Sequence, residues 1–467
     1  KQLYLGFRWI PAFVSGGYAV VMQDCGGTHD SEGEWDPYVQ EATDGFDTQE
    51  WVGGQSWCDG SIGTFGISYI GFTQIQTAPL RSRFLRALAP FGSQEDNFGH
   101  FYVDGVLQLH VALYFINMAG RTMQTGTTGL LDWEELFLRL PVSAAVSEIV
   151  KIPFQREVFQ HHTYDEFWKP SSLQGKYEEV EAPALFVTGW YDNLLRETLR
   201  LFNGWTKEGR TSLAREATKL IIGPWDHWNM ETGEKIGSMG FGPDSQLDLA
   251  AEQIRWYDRR LKGADNGLDE EAPIRLFVMG ENVWRGEYEW PLARTRYVNY
   301  YLHSGGSANS LDGDGHLSME RPEGEPPDHY EYDPGRPVPT LGGQVMAVDT
   351  APAGPWDRSG LERRDDVLVY TSHALETDVE VTGPVALTFH AASTAPDTDF
   401  TGTLVDVHPD GKAIILCEGI LRLRYRESLE HPILATPNEV LELCMDMWAT
   451  SNLFLSGHRI RLEISSS

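Results

Sequence analysis

Gly63-Thr64-Phe65-Gly66-Ile67-Ser68-Tyr69-Ile70-Gly71-Phe72-Thr73-Gln74 decides the fold. The stretch predicts a strand, a sharp turn at Ser68 and then a helix. Gly66 and Gly71 bracket the serine, as a nucleophile elbow requires: the turn strains the backbone, and the helix passes close to neighbouring strands. Such a turn lifts the serine oxygen clear of the sheet. It also aims the helix N-terminus, with the amide N–H of Tyr69, at an oxyanion forming on an attacked carbonyl. An ordinary glycine-rich strand-to-helix turn gives similar letters in a chain with 47 glycines, and the spacing here is Gly-x-Ser-x-x-Gly. The elbow reading therefore depends on a base and an acid that follow in a workable order.

Before this stretch, residues 1–14 carry aromatic residues at helical spacing and predict a helix packed on a sheet. Residues 18–22, Tyr-Ala-Val-Val-Met, form a wholly apolar run that predicts a buried parallel strand. Its loop, Gln23-Asp24-Cys25-Gly26-Gly27, falls at a strand's carboxyl end, where open α/β sheets place their sites. Residues 44–56 predict a helix, with Phe46, Trp51 and Val52 on one face. Strand, helix, strand, elbow, helix is an α/β repeat.

After the elbow the repeat breaks. Residues 104–118, 133–140 and 142–150 have helical periods, and no strand is predicted from 80 to 180, so this segment reads as a helical cap over the serine. Phe101 and Phe115 in it, with Leu194 beyond it, are candidates to line a substrate pocket. The α/β pattern resumes with Pro183-Ala184-Leu185-Phe186-Val187-Thr188-Gly189, which places Asp192 at a strand's carboxyl end. Lys219-Leu220-Ile221-Ile222 predicts the next strand and puts His227 on its following loop. Ser68, Asp192 and His227 thus each follow an apolar strand, in the order Ser, Asp, His used by α/β hydrolases.

Beyond Gly263 the composition changes. Alternating apolar runs separated by turns rich in Gly, Pro and Asp predict a β-sandwich of jelly-roll type, beginning with residues 274–279. Residues 305–357 read as long surface loops. The expected organisation is an α/β-hydrolase domain over 1–79 and 181–265, a helical cap over 80–180 and a jelly-roll sandwich over 266–467.

The 467 residues are 41% hydrophobic and 12% aromatic, as in a globular protein, and the net charge is −31. A phosphate backbone would be repelled, which excludes nucleic acid as a partner; the acidity reads as a solvated surface. Four cysteines with no Cys-x-x-Cys pair point to a reducing compartment, and no apolar run is long enough to cross a membrane. The expectation is a soluble, cytoplasmic enzyme. The chain opens at Lys1 and stops straight after a strand-like run, so both ends are expected to continue. His161 and His162 are adjacent and diverge, and neither His-Glu-x-x-His nor a phosphate loop occurs, so no metal and no cofactor are expected.

Gly17-Tyr18-Ala19-Val20-Val21-Met22-Gln23-Asp24, Ser31-Glu32-Gly33-Glu34, Asp44-Gly45-Phe46-Asp47-Thr48, Gly66-Ile67-Ser68-Tyr69-Ile70-Gly71, Gly189-Trp190-Tyr191-Asp192, Gly223-Pro224-Trp225-Asp226-His227 and Val381-Thr382-Gly383-Pro384 resemble the cocaine esterase/X-Pro dipeptidyl-peptidase (CocE/NonD-type) family of serine hydrolases. The resemblance implies an α/β-hydrolase domain with a cap and a jelly roll, and it carries the catalytic triad onto Ser68, Asp192 and His227. It implies one oxyanion donor at the Tyr69 backbone N–H. A second, a tyrosine hydroxyl, is expected in a segment before Lys1. Where relatives tend to have Asp-Thr-Arg-Gly, this chain has Asp24-Cys25-Gly26-Gly27.

The function expected is hydrolysis of a small-molecule carboxylic ester through an acyl-serine intermediate. An amide or peptide hydrolase of the same family is the alternative: a glutaryl-type acylase, an α-amino acid ester hydrolase or an X-Pro dipeptidyl-peptidase. The last two need carboxylates for a substrate ammonium, and the cap offers Asp104, Asp132, Glu134 and Glu135. A reading from another class makes the jelly roll a ligand-binding module beside an inert hydrolase domain. Homo-oligomerisation is left open by the sequence.

Overall fold

The computed structural model describes residues 8–112, 132–143, 153–231, 234–347 and 350–466. Its first sheet consists of β1 (Ile62–Ile67), β2 (Leu85–Phe91), β3 (Leu185–Tyr191), β4 (Lys219–Asp226), β5 (Ile274–Val278) and β6 (Val283–Glu287), side by side in chain order. Neighbours from β1 to β5 are parallel, and β6 returns antiparallel to β5. Every residue of β3 and β4 is buried. This is why both read as unbroken apolar runs: a central parallel strand is covered on both faces.

Helices α1 (Ile10–Ser15), α2 (Glu41–Gly53), α3 (Tyr69–Thr77), α7 (Leu195–Glu208), α8 (Ser212–Ala217) and α9 (Leu249–Arg260) accompany this sheet, and the short α4 (Asn97–Phe101), α5 (Trp133–Leu138) and α6 (Pro153–Gln160) build the cap. Their starts follow local rules. Asp248 caps α9 by accepting the Ala251 N–H at 3.0 Å, and Arg259 and Arg260 sit in its last turn against the negative end of the helix dipole. The sheet core includes the fully buried indoles of Trp190, Trp205, Trp225 and Trp256. Three of these donate to backbone carbonyls: Trp190 to Phe277, Trp205 to Ala182 and Trp225 to Ser245.

A β-sandwich follows. One sheet runs β7 (Tyr301–His303), β8 (His316–Ser318), β9 (Leu368–Ser372), β14 (Arg459–Ser465), β11 (Asp399–Val407) and β12 (Ala413–Arg422). The long pair β10 (Val379–Ala391) and β13 (Leu441–Phe454) faces it across a core that includes Leu387, Phe389, Phe400, Met445 and Phe454. The sandwich is joined to the first sheet by Met279, just past β5. Met279 donates to the Ser451 carbonyl at 3.0 Å and accepts from Leu453 at 2.8 Å.

Four expectations are corrected. Residues 18–22 form no strand and are half-exposed to exposed; they stand off β1 across a cavity of about 420 Å³ lined by Tyr18, Val20, Gly63, Phe65 and Tyr257 among others. Residues 80–180 are not wholly cap, because β2 lies within them and forms the second strand of the first sheet. Residues 104–107 turn as a two-residue hairpin, Tyr102–Val103 with Val106–Leu107, instead of opening a helix; residues 113–118 lie outside the described ones. Residues 274–278 belong to the first sheet and not to the sandwich, with Leu220, Ile221 and Ile222 in register with Ile274, Arg275 and Leu276.

Candidate active site

The order of the strands brings the site together. Ser68 follows β1, Gly92 follows β2, Asp192 follows β3 and His227 follows β4, so four adjacent carboxyl ends carry the four residues. Ser68 has φ 62° and ψ −126°, the strained conformation of an elbow, and its amide donates to the Phe91 carbonyl at 2.8 Å. Gly66 has φ +152°, and a Cβ there would lie 2.3 Å from the Ile70 side chain, so the chain crossing under the elbow requires glycine. Tyr69 is the first residue of α3, where helix amides have no carbonyl four residues back.

Asp192 is fully buried and held from three sides. Its Oδ1 accepts the Leu194 N–H at 2.9 Å and lies 2.8 Å from His227 Nδ1, and its Oδ2 accepts the Thr188 hydroxyl at 2.9 Å. With Nδ1 facing a carboxylate, that nitrogen carries the proton and Nε2 keeps a lone pair. His227 Nε2 is buried and makes no hydrogen bond among the described residues. No hydrogen bond joins it to the Ser68 hydroxyl in this resting geometry; such contacts tighten when substrate arrives. A lone pair aimed from a buried, carboxylate-tethered imidazole is the arrangement of a general base.

The cap core covers this corner. Phe98, Phe101, Tyr102, Trp133, Phe154 and Trp168 form one apolar cluster with Phe72 of α3, and Tyr69 and Trp228 pack against it. Phe101 is therefore core, 1% exposed, with its ring against Tyr38, Phe154 and Trp168. Leu194 is also buried, and its backbone N–H steadies Asp192. Phe115 lies outside the described residues. The Tyr69 hydroxyl hydrogen-bonds the Glu41 carboxylate at the start of α2, and burial pushes Glu41 up to about 7 against the opposing pull of that bond.

Several residues of this corner escaped the sequence reading. Gly92 and Thr188 are two. His100 is buried next to His227; burial first, then the charges of His227 and His110, push it down to about 3, so it stays neutral. Burial lowers His110 to about 4, and its Nε2 accepts the Met346 N–H at 3.1 Å. Met346 belongs to the stretch expected to be surface loop. There Gln344 is buried instead, donating to the carbonyls of Trp190 and Leu416 at 2.9 and 3.1 Å, so this loop wedges between sheet and sandwich.

Beneath the cap sit three buried carboxylates, Glu95, Asp96 and Glu197, with one oxygen from each within 4.8 Å of the others. Tyr177 donates to Glu95 at 2.6 Å, the Gly99 amide to Asp96 at 2.7 Å and Arg200 to Glu197 at 2.9 Å. Burial, then repulsion from Glu197, raises Glu95 to about 7 and Asp96 to about 6. The folded chain thus holds protons that the unfolded chain releases above roughly pH 4.5. Stability from this source is present below that pH and is lost as pH rises through about 7. Glu95→Gln, which keeps an acceptor for Tyr177, is expected to stabilise the protein by about 1–3 kcal/mol at pH 8 and by nothing at pH 4.5. Thermal melts at the two pH values check this, and an equal shift at both would refute it.

The family model of the X-Pro dipeptidyl-peptidase (S15 family) matches residues 5–229, and that of the X-Pro dipeptidyl-peptidase C-terminal non-catalytic domain matches 266–467. Cocaine esterase from Rhodococcus sp. (strain MB1 Bresler) is 38% identical, over 98% of this chain and 82% of that protein. A putative serine esterase from Mycobacterium bovis is 26% identical over 97% of this chain and 79% of its own length. Among solved structures, an aminopeptidase from a marine sediment Thaumarchaeota archaeon superposes with a TM-score of 0.84 at 22% identity, covering 98% of this chain and 80% of its own. An α-amino acid ester hydrolase does so with a TM-score of 0.78 at 24% identity and the same coverage. These two show the fold.

Proposed function

The chain belongs to the cocaine esterase/X-Pro dipeptidyl-peptidase family of serine hydrolases, and from that premise we propose that it cleaves carboxylic esters with Ser68, His227 and Asp192 as its catalytic triad. The observation that carries the assignment is the 2.8 Å contact of His227 Nδ1 with a buried Asp192, which leaves Nε2 without a hydrogen bond among the described residues, at the same end of the sheet as the elbow. His227 Nε2 takes the Ser68 Oγ proton as Oγ attacks the acyl carbon, and the negative charge that develops on the carbonyl oxygen is met by the Tyr69 N–H. The imidazolium, stabilised by Asp192, hands its proton to the leaving alkoxide. Water, deprotonated by the same Nε2, then releases the acid and restores Ser68.

Amide hydrolysis is the second reading, favoured by the family model over residues 5–229. Two of the four cap carboxylates offered for a peptide ammonium are otherwise engaged, and the other two, Glu134 and Glu135, are solvent-exposed. Asp104 pairs with Arg196 at 3.2 Å, and Asp132 caps α5 by accepting the Glu135 N–H at 3.0 Å. The test is covalent labelling with a fluorophosphonate, mapped by mass spectrometry, alongside turnover of an aryl ester and a Gly-Pro anilide. An adduct at Ser68 with ester turnover far above anilide turnover is expected. An adduct elsewhere would sink the triad, and anilide turnover in excess would replace ester with peptide chemistry.

A further inference from the structure

Two side chains from one strand end and a third, 52 residues further from the first, meet at the rim of the sandwich. Asp406 is the penultimate residue of β11, His408 follows in the turn toward β12, and His458 stands in the turn before β14. Asp406 Oδ1 lies 2.8 Å from His458 Nδ1, and its Oδ2 lies 4.0 Å from His408 Nε2. The two imidazole rings are 4.4 Å apart between centroids, inclined at 35°. One donor atom from each of the three residues falls within 4.8 Å of the other two.

One histidine suffices to satisfy the aspartate, so the second calls for a reason. No hydrogen bond reaches the His408 ring among the described residues, although the side chain is only 21% exposed. Asn452, from the facing sheet, donates to Asp406 Oδ2 at 3.3 Å and fixes the carboxylate from behind, as the outer partners of metal ligands do. Two imidazole nitrogens and one carboxylate oxygen are the donor set of a borderline divalent ion. A tetrahedral zinc with bonds of about 2.0–2.1 Å holds its ligand atoms roughly 3.4 Å apart. The 2.8 Å gap to Asp406 Oδ1 and the 4.0 Å gap to its Oδ2 lie on either side of that value, within reach of a turn of the carboxylate.

We propose that Asp406, His408 and His458 bind a zinc-class divalent metal, with a fourth position open to water. Binding displaces the proton shared between His458 Nδ1 and Asp406. The ion ties the β11–β12 turn to the turn before β14. It also reaches the seam between the two sheets, because Asn452 bridges to Met279. The role is that of a staple, at a distance in sequence from every residue of the triad.

The experiment uses the whole chain, stripped with EDTA and then dialysed against Zn2+. One equivalent is expected to stay bound, and the melting temperature to rise by about 2–4 °C. Co2+ in its place should give visible ligand-field bands. His408→Ala, at the half-buried member, is expected to lose the equivalent, the bands and the thermal response while the metal-free protein melts as before. Asp406→Asn should lose them too. Absence of saturable zinc in the unmodified chain would overturn the proposal, as would an equal equivalent and equal shift in His408→Ala.

Discussion

Ser68→Ala is expected to lower ester turnover by about 10⁴–10⁶-fold and to leave the melting temperature within about 2 °C. The size of the loss follows from what is removed. Without Oγ there is no acyl-enzyme, and the remaining contribution is that of the oxyanion donor and of substrate binding. The small effect on stability follows from the backbone. Ser68 already bears a Cβ at φ 62°, so alanine inherits the same strain and the same bonds, Ser68 N–H to Phe91 and Phe72 N–H to residue 68, each at 2.8 Å. The variant should also take up no fluorophosphonate. Turnover within tenfold of the unmodified chain would remove Ser68 from the chemistry altogether, while a variant that melts far lower would mean that the hydroxyl serves the fold.

The strand ends that carry the proposed triad could be read in the sequence for a physical reason. A central parallel strand must be apolar on both faces, so the ends of β3 and β4 announced themselves, and Asp192 and His227 are the polar residues found at those ends. The strand between β1 and β3 did not announce itself. In β2 the run is interrupted by exposed Arg86 and by Pro90, and its alanines carry little hydrophobic signal; Leu85, Ala87, Leu88 and Phe91 are nonetheless buried. Residues 18–22 failed in the opposite sense. They are as apolar as a core strand, but burial depends on what covers a segment, and periodicity contains no information about that.

Partner choice was hidden elsewhere as well. The run at Ile274–Val278 follows a change in composition, and local pattern could not tell whether it pairs within the sandwich or with Leu220–Ile222. The stretch holding Gln344 and Met346 is low in apolar residues and so reads as surface loop; both are buried against Trp190, Leu416 and His110, at distances of 72 residues or more along the chain. His408 and His458 illustrate the same limit. Metal-ligand spacing is legible when ligands share a turn or a helix, and these two histidines are neighbours only through the pairing of β11 with β14. Side-chain chemistry assembled by register is invisible until the register is known.

Gly92→Ala tests how narrowly the site is held. Gly92 has φ +45°, its N–H donates to the Val187 carbonyl at 2.7 Å, and a Cβ at this position would lie 2.9 Å from Asp192 Oδ2, 3.2 Å from His227 Cε1 and 2.8 Å from the Met230 methyl. The Met230 end can swing aside. Asp192 cannot, since Thr188, Leu194 and His227 hold it, so the added methyl must tilt the imidazole or pull the carboxylate from it. A displacement of this order at a reacting group costs about 10²-fold in rate, and a left-handed conformation costs alanine about 1 kcal/mol in stability. The variant is therefore expected to keep its fold and its substrate KM, to lose about 10²-fold or more in kcat, and to react with a fluorophosphonate correspondingly slowly. Because Ser68 is untouched in this variant, slowed labelling would isolate the role of the Asp192–His227 pair in activating it. Unchanged labelling in a folded Gly92→Ala protein would show that Ser68 is not activated by that pair.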